Sequence, residues 1–240
     1  MTTPHPQQGA FPLFRFKGIQ VSLHWSWLLV ALWQIQRNRE TYDLVAFAVF
    51  EYLALFAMVL LHEFGHAFAS RSVGGRAENI LLWPFGGIAY INAPRRPGAF
   101  LWSIAAGPLV NVALVPVLWL LLHYGLPESA GPDTVTFVYV LFQINLVLLI
   151  FNLLPIYPMD GGQILQALLW YRLGYPKALL IATGIGLVGG VALIALALIY
   201  LESVYSALLA GFLLLNCWKA FQASRAMLAE AGPVDPLQAP

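Results

Sequence analysis

The segment Leu61-His62-Glu63-Phe64-Gly65-His66 holds the spacing in this chain best suited to chemistry. On a helix, residues four apart lie one turn apart on one face, so His62 and His66 offer two imidazoles to the same point. Two imidazoles so placed bind a divalent metal such as Zn²⁺. The glutamate between them, Glu63, can then act as general base on a water held at the metal. With five histidines in 240 residues, chance supplies this pattern about 0.003 times. The plainer reading is three polar side chains hydrogen-bonded inside a helical bundle. It fits less well, because the flanking residues are apolar and three ionisable groups in five residues of such a run are costly without a task.

A catalytic zinc site takes three protein ligands and keeps one position open. Two histidines leave it one ligand short. The candidates for the third are His24, His123 and Asp160. Asp160 is the better one, because it stands in Asn152-Leu153-Leu154-Pro155-Ile156-Tyr157-Pro158-Met159-Asp160-Gly161-Gly162. The two prolines break a helix and the two glycines permit backbone turns. A broken helix at membrane depth is tolerated only where it is buried in protein or lines a cavity. The competing reading is an ordinary helix end with a solvated aspartate.

The elements that must position these groups follow from composition. The chain is 60% hydrophobic and 10% charged, with mean hydropathy +0.75. Soluble domains lie near 45–50% apolar and about 25% charged. The class is therefore a polytopic membrane protein. The 12 Lys+Arg and 11 Asp+Glu nearly cancel. With no basic block, nucleic acid is not an expected partner. The single cysteine, Cys217, excludes an internal disulfide framework and a four-cysteine zinc site.

About 20 apolar residues cross a bilayer. Six runs approach that length: 19–35, 44–70, 99–124, 134–154, 178–201 and 203–218. The expected fold is an all-α polytopic bundle of about six transmembrane helices with a small membrane-associated β-hairpin or loop. The hairpin is read from Ile80-Leu81-Leu82-Trp83 and Ile88-Ala89-Tyr90-Ile91 around Pro84-Phe85-Gly86-Gly87. Gly186 and Gly190 carry a GxxxG spacing that admits another helix closely. The expected organisation is an N-terminal tail (1–18), one six-helix domain (19–220, core 44–172) and a C-terminal tail (221–240). Six crossings put Arg15, Lys17, Arg71, Arg76, Arg95, Arg96, Arg172, Lys177, Lys219 and Arg225 on one side and only Arg37 and Arg39 on the other. The positive-inside rule then makes both termini cytoplasmic. The histidine motif lies about 7–14 Å inside that boundary at 1.5 Å per residue. Asp160, which follows the fourth run, falls at a similar depth.

HEFGH followed by NLLPIYPMDGG resembles the site-2 protease family of intramembrane zinc metalloproteases. Phe85-Gly86-Gly87 and Ala106-Gly107-Pro108-Leu109-Val110-Asn111 fit the same pattern, and the resemblance runs from about Leu61 to Ile164. It implies that His62, His66 and Asp160 ligate one Zn²⁺ per chain and that Glu63 is the catalytic glutamate. It also implies a membrane-spanning protein substrate, cleaved in or near its transmembrane segment within the lipid bilayer. Asn152 matches the family's motif asparagine, implying substrate binding or oxyanion stabilisation. Met159 stands where leucine is commoner. No PDZ-like insertion or CBS-like domain is evident, which leaves substrate selection and a regulatory membrane partner open.

Further expectations concern residues around the motif. Asn111 and Asn145 are read as interhelical packing amides. Glu51 either lines a polar cavity or sits near the opposite interface, paired with another polar group. Gly86, Gly87, Ile88, Ala89 and Tyr90 are read as a strand that pairs with an unwound substrate segment. The competing classes are a catalytically silent membrane scaffold, against which the retained Glu63 argues, and a divalent-metal transporter, against which the one-sided placement of the polar cluster argues.

Overall fold

The computed structural model describes residues 9–84, 86–196, 199 and 204–230. Phe85, the outer parts of both expected tails (1–8 and 231–240) and the expected run ends at 197–203 (residue 199 apart) lie outside the described residues. The chain is mostly helical, with one four-stranded sheet. It divides into two compact units, Met1–Arg95 with Trp102–Ile150, and Arg96–Leu101 with Phe151–Pro240.

In the first unit, β1 (Ala10–Phe16) and β2 (Ile19–His24) form a hairpin. Its turn residues Lys17 and Gly18 both have positive φ, 46° and 77°, the geometry that matches the twist of paired strands. Two helices follow, α1 (Ser26–Asn38) and α2 (Val45–Ser72). Then come β3 (Arg76–Trp83) and β4 (Gly86–Asn92), an antiparallel pair with Ile80 opposite Ala89 and Leu82 opposite Gly87. β3 also pairs with β2 in parallel, Val21 opposite Ile80, giving the sheet order β1-β2-β3-β4. The expected hairpin is thus present as half of a larger sheet.

Alternation explains which face is buried. Ile19, Val21 and Leu23 of β2 point inward with Ile80 and Leu82 of β3. They pack on Tyr52, Val59, Phe64 and Ala67 of α2 and on Trp27 of α1. Arg71, in the last turn of α2, fixes this layer by donating to the carbonyls of Lys17, Gly18 and Ala77. A second apolar cluster joins Met58 of α2 to Leu118 of α3 (Pro97–Leu120) and Leu141 of α4 (Pro132–Leu153). A π-helical turn, Leu121–Gly125, prolongs α3.

The first expected span, 19–35, is not one helix. It comprises strand β2 and the thirteen-residue helix α1, which is shorter than a crossing needs. The two together still cover the distance. Lys17 lies at Arg71 and Asn38 lies at Glu51, positions that α2 separates by about 30 Å.

In the second unit, α5 (Asp160–Leu173), α6 (Tyr175–Leu196) and α7 (Val204–Glu230) follow the Pro/Gly segment. The glycine spacing on α6 has the expected use. A Cβ on Gly186 would meet Cys217 Sγ of α7 at 2.9 Å, and one on Gly190 would meet Leu214 Cδ1 at 3.1 Å. Helix α7 continues to Glu230, well into the expected tail. Among the described residues four helices are long and apolar enough to cross a membrane: α2, α3 with its π turn, α4 and α6.

Candidate metal centre

Helix α2 places the motif where the sequence puts it. His62, Glu63 and His66 are buried, at 5%, 6% and 6% exposure. The two Nε2 atoms lie 3.1 Å apart. Each Nδ1 is engaged from behind: His62 Nδ1–H donates to Asn111 Oδ1 at 2.6 Å, and His66 Nδ1–H to the Ser103 carbonyl at 2.9 Å. These bonds place the ring protons on Nδ1 and leave both Nε2 lone pairs facing one point. Two lone pairs at that distance repel unless a cation lies between them. Ligands about 2.0–2.1 Å from a tetrahedral zinc stand about 3.3 Å apart, close to the separation found. The residues present therefore fit a metal.

The backing of His62 extends further. Asn111 Nδ2 donates to Asn145 Oδ1 at 2.9 Å, and Asn145 Nδ2 donates to the Asn111 carbonyl at 3.0 Å. Both amides are fully buried. They do link helices, as expected, and Asn111 in addition orients a ring of the motif. The signal was available: a metal-binding histidine needs an acceptor for its other N–H, and a buried amide in an apolar helix needs a partner. Ser103 acts through its main chain, which no side-chain pattern discloses.

Space before the Nε2 atoms is kept by Gly107 on α3. A Cβ there would lie 2.2 Å from His66 Nε2 and 2.7 Å from His62 Nε2. Beside Glu63 runs β4. Glu63 Oε2 accepts the Ala89 N–H at 2.8 Å, and a Cβ on Gly87 would lie 2.3 Å from Glu63 Cγ. Of the five residues expected to pair with substrate, Gly87 and Ala89 thus meet the glutamate, while Gly86, Ile88 and Tyr90 belong to the same strand.

The other candidates are placed as follows. His24 ends β2 with Nδ1 at the Ser26 hydroxyl, and exposed His123 donates to the Trp119 carbonyl of its own helix. Glu51 is buried and accepts from Asn38 and, at 2.8 Å, from the Tyr42 hydroxyl. It is therefore paired with polar groups from α1 and the loop that follows. Asp160 and Asn152 belong to the second unit. Asp160 is buried in the first turn of α5 and Asn152 is half-buried in the last turn of α4. The segment between them is tightly folded. A Cβ on Gly161 would lie 2.2 Å from the Leu153 carbonyl oxygen, and one on Gly162 would lie 2.5 Å from the Tyr157 nitrogen.

Comparison with known proteins bears on this site. Residues 50–130 and 127–196 match the family model described as Peptidase family M50. A zinc metalloprotease of Methanocaldococcus jannaschii is 35% identical over 177 residues, 72% of this chain and 50% of its own length. The stage IV sporulation protein FB of Bacillus subtilis is 34% identical over 130 residues, 52% of this chain and 42% of its own. The solved structure of a site-2 protease from M. jannaschii superposes with a TM-score of 0.65 at 30% identity, covering 88% of this chain and 95% of that one. The chain spans about half the length of the curated relatives it matches.

Proposed function

The chain belongs to peptidase family M50, and from that premise we propose that it is an intramembrane zinc endopeptidase that hydrolyses a peptide bond in or near a transmembrane segment of another membrane protein. The observation that carries this reading is the histidine pair, with both Nδ1 atoms engaged and both Nε2 atoms converging beside a buried glutamate.

His62, His66 and Asp160 would hold the metal; each offers one donor atom and all three are buried. Zinc is the metal in the name of the M. jannaschii relative, and two imidazoles with a carboxylate suit it. When bound, it supplies Lewis acidity that acidifies water and polarises a peptide carbonyl. Glu63 takes the proton of the attacking water and passes it to the leaving nitrogen. Asn152 donates its amide to the developing oxyanion or to the substrate backbone. A helical substrate must unwind first, which strips partners from its N–H and C=O groups. β4 lies at the margin of the sheet, and its stretch Gly86, Gly87, Ile88, Ala89 and Tyr90 offers an edge, through its alternate residues, at which replacement partners are found by strand addition.

The protein is integral to the membrane. We assign six crossings: the four long apolar helices, the β2–α1 segment and α7. Both termini are then cytoplasmic and the site lies toward the cytoplasmic face. Residues 19–220 form the catalytic domain, and regulation would come from a membrane partner.

Wild-type protein and Glu63→Ala, purified in detergent, test the reading. Both are expected to hold one zinc, and only wild type is expected to cleave single-span substrates that contain helix-breaking residues. Equal zinc with no cleavage by either would favour a scaffold, zinc flux in sealed vesicles a transporter. Well-folded protein without stoichiometric metal would overturn the metal site.

A further inference from the structure

Strand β4 touches Glu63 twice, and neither contact is needed to build the sheet. The Ala89 N–H donates to Oε2 at 2.8 Å. At Gly87, two residues earlier and so on the same face of the strand, a Cβ would sit 2.3 Å from Glu63 Cγ and 2.6 Å from both Cδ and Oε1. The glutamate therefore occupies the volume that any other residue at position 87 would fill, and its carboxylate is bound by the main chain of position 89. A glutamate side chain has three rotatable bonds, and an unheld carboxylate would sample several positions. Here one strand supplies both the wall and the anchor.

We propose that Gly87 and Ala89 of β4 are positioning residues for the proposed general base, and that through them β4 sets which peptide of a captured strand is cut. The inference rests on the endopeptidase reading and deepens it. β4 is the last strand of the sheet. Along it, alternate residues present N–H and C=O toward the outer edge. Because Ala89 gives its N–H to Glu63, the outward-facing set is Gly87, Ala89 and Ile91. Glu63 occupies the middle N–H of that set. A substrate strand added at this edge binds through Gly87 and Ile91 on either side and leaves the Ala89 rung to the base. The peptide opposite Ala89 is then the one that faces Glu63. Cleavage position is fixed by register on β4 and not by the identity of a single side chain.

Two measurements test this. In wild type, the Ala89 amide is expected to exchange its hydrogen at least tenfold more slowly than in Glu63→Ala, with neighbouring β4 amides unchanged. Equal exchange in both would overturn the anchor whether or not the enzyme is active. Gly87→Ala and Ala89→Pro are then assayed on a cleavable single-span substrate, with zinc content measured in parallel. Both are expected to keep zinc and KM while kcat falls at least tenfold. Ile91→Pro, which removes a flanking rung, is expected to raise KM or move the cleavage site by two residues. A wild-type kcat in Gly87→Ala would overturn the proposal while leaving the peptidase reading intact. Absence of cleavage by wild type would instead count against that reading, and the exchange measurement would still decide the anchor. Should a variant lose zinc and fold together, the exchange comparison on wild type and Glu63→Ala decides alone.

Discussion

Gly107→Ala is the sharpest perturbation of the metal centre. The added methyl would lie 2.2 Å from His66 Nε2, 2.3 Å from its Cε1 and 2.7 Å from His62 Nε2. A Zn–N bond is about 2.0–2.1 Å, so the methyl takes the volume in which the ion would sit. Relief requires both rings to turn away. Each ring then loses its Nδ1 hydrogen bond, to Asn111 or to the Ser103 carbonyl, worth about 1 kcal/mol net. Each also leaves its rotamer well, at about 0.5–1.5 kcal/mol. Together that is about 3–5 kcal/mol, and each 1.4 kcal/mol is about a factor of ten in affinity. Zinc affinity should fall by about two to three and a half orders of magnitude. Helix propensity acts the other way, since alanine is about 1 kcal/mol better than glycine in a helix interior, so the metal-free fold should survive. The assay is zinc content against graded chelator, with circular dichroism as the fold control. Gly184→Ala on α6, where nothing lies within 4 Å of the added Cβ, is the matched control and should keep its metal. A Gly107→Ala protein that holds one zinc with wild-type affinity would refute the placement of the ion before these two rings.

Asn111→Ala should lower zinc affinity about 10–100-fold, the usual cost of removing a partner behind a metal-binding histidine, and Asn145→Ala less; chelator titration reads both. Glu51→Ala should leave zinc intact but destabilise the protein by about 1–3 kcal/mol, because buried Tyr42 and half-buried Asn38 lose their acceptor; Glu51→Gln should recover part of that loss in thermal unfolding. The Tyr42 phenol is held above the ordinary tyrosine range, first by burial and then by its hydrogen bond to Glu51. Its proton is retained in the folded state where an unfolded tyrosine would lose it, so it should destabilise the fold as pH rises past about 10, and Tyr42→Phe should flatten that alkaline slope.

The reactive residues were legible because their chemistry is written in side chains. HEFGH needs only a helix to bring two rings together, and an apolar run supplies one. Strand β2 carries a legible signal too, inside a run whose hydropathy alone predicts a helix. Ile19-Gln20-Val21-Ser22-Leu23-His24 alternates apolar and polar with period two, a strand signal that an average over twenty residues erases. Hydropathy finds the apolar run and cannot tell how the backbone crosses it. The parallel pairing of β2 with β3 was beyond reach for another reason. Two helices separate the strands in sequence, and nothing in either strand names the other. The Glu63–Ala89 contact was hidden because half of it is main chain. Only the glycine at 87 hinted that something approaches the strand closely, and glycine there has turn-forming readings as well.

The sheet itself needs an explanation, since open edges are not tolerated in hydrocarbon. Its depth follows from α2. Arg71 holds the Lys17-Gly18 turn and the start of β3 at one level, and Glu63 lies eight residues, about 12 Å, further in. At the outer margin β1 carries exposed Phe11, Phe14 and Phe16 with Arg15, a composition suited to the interface, where water can serve the edge. At the other margin the carboxylate of Glu63 answers one of the N–H groups of β4. An unwound substrate segment has the same difficulty, because each N–H and C=O it strips in lipid costs several kcal/mol. A segment added along β4 would regain partners at the depth where the glutamate sits. If so, a substrate stretch preorganised to unwind should be cut faster chiefly through KM. Introducing one helix-breaking residue into a resistant single-span substrate should lower KM and leave kcat nearly unchanged. A gain confined to kcat would mean that unwinding occurs after capture and that β4 is not its acceptor.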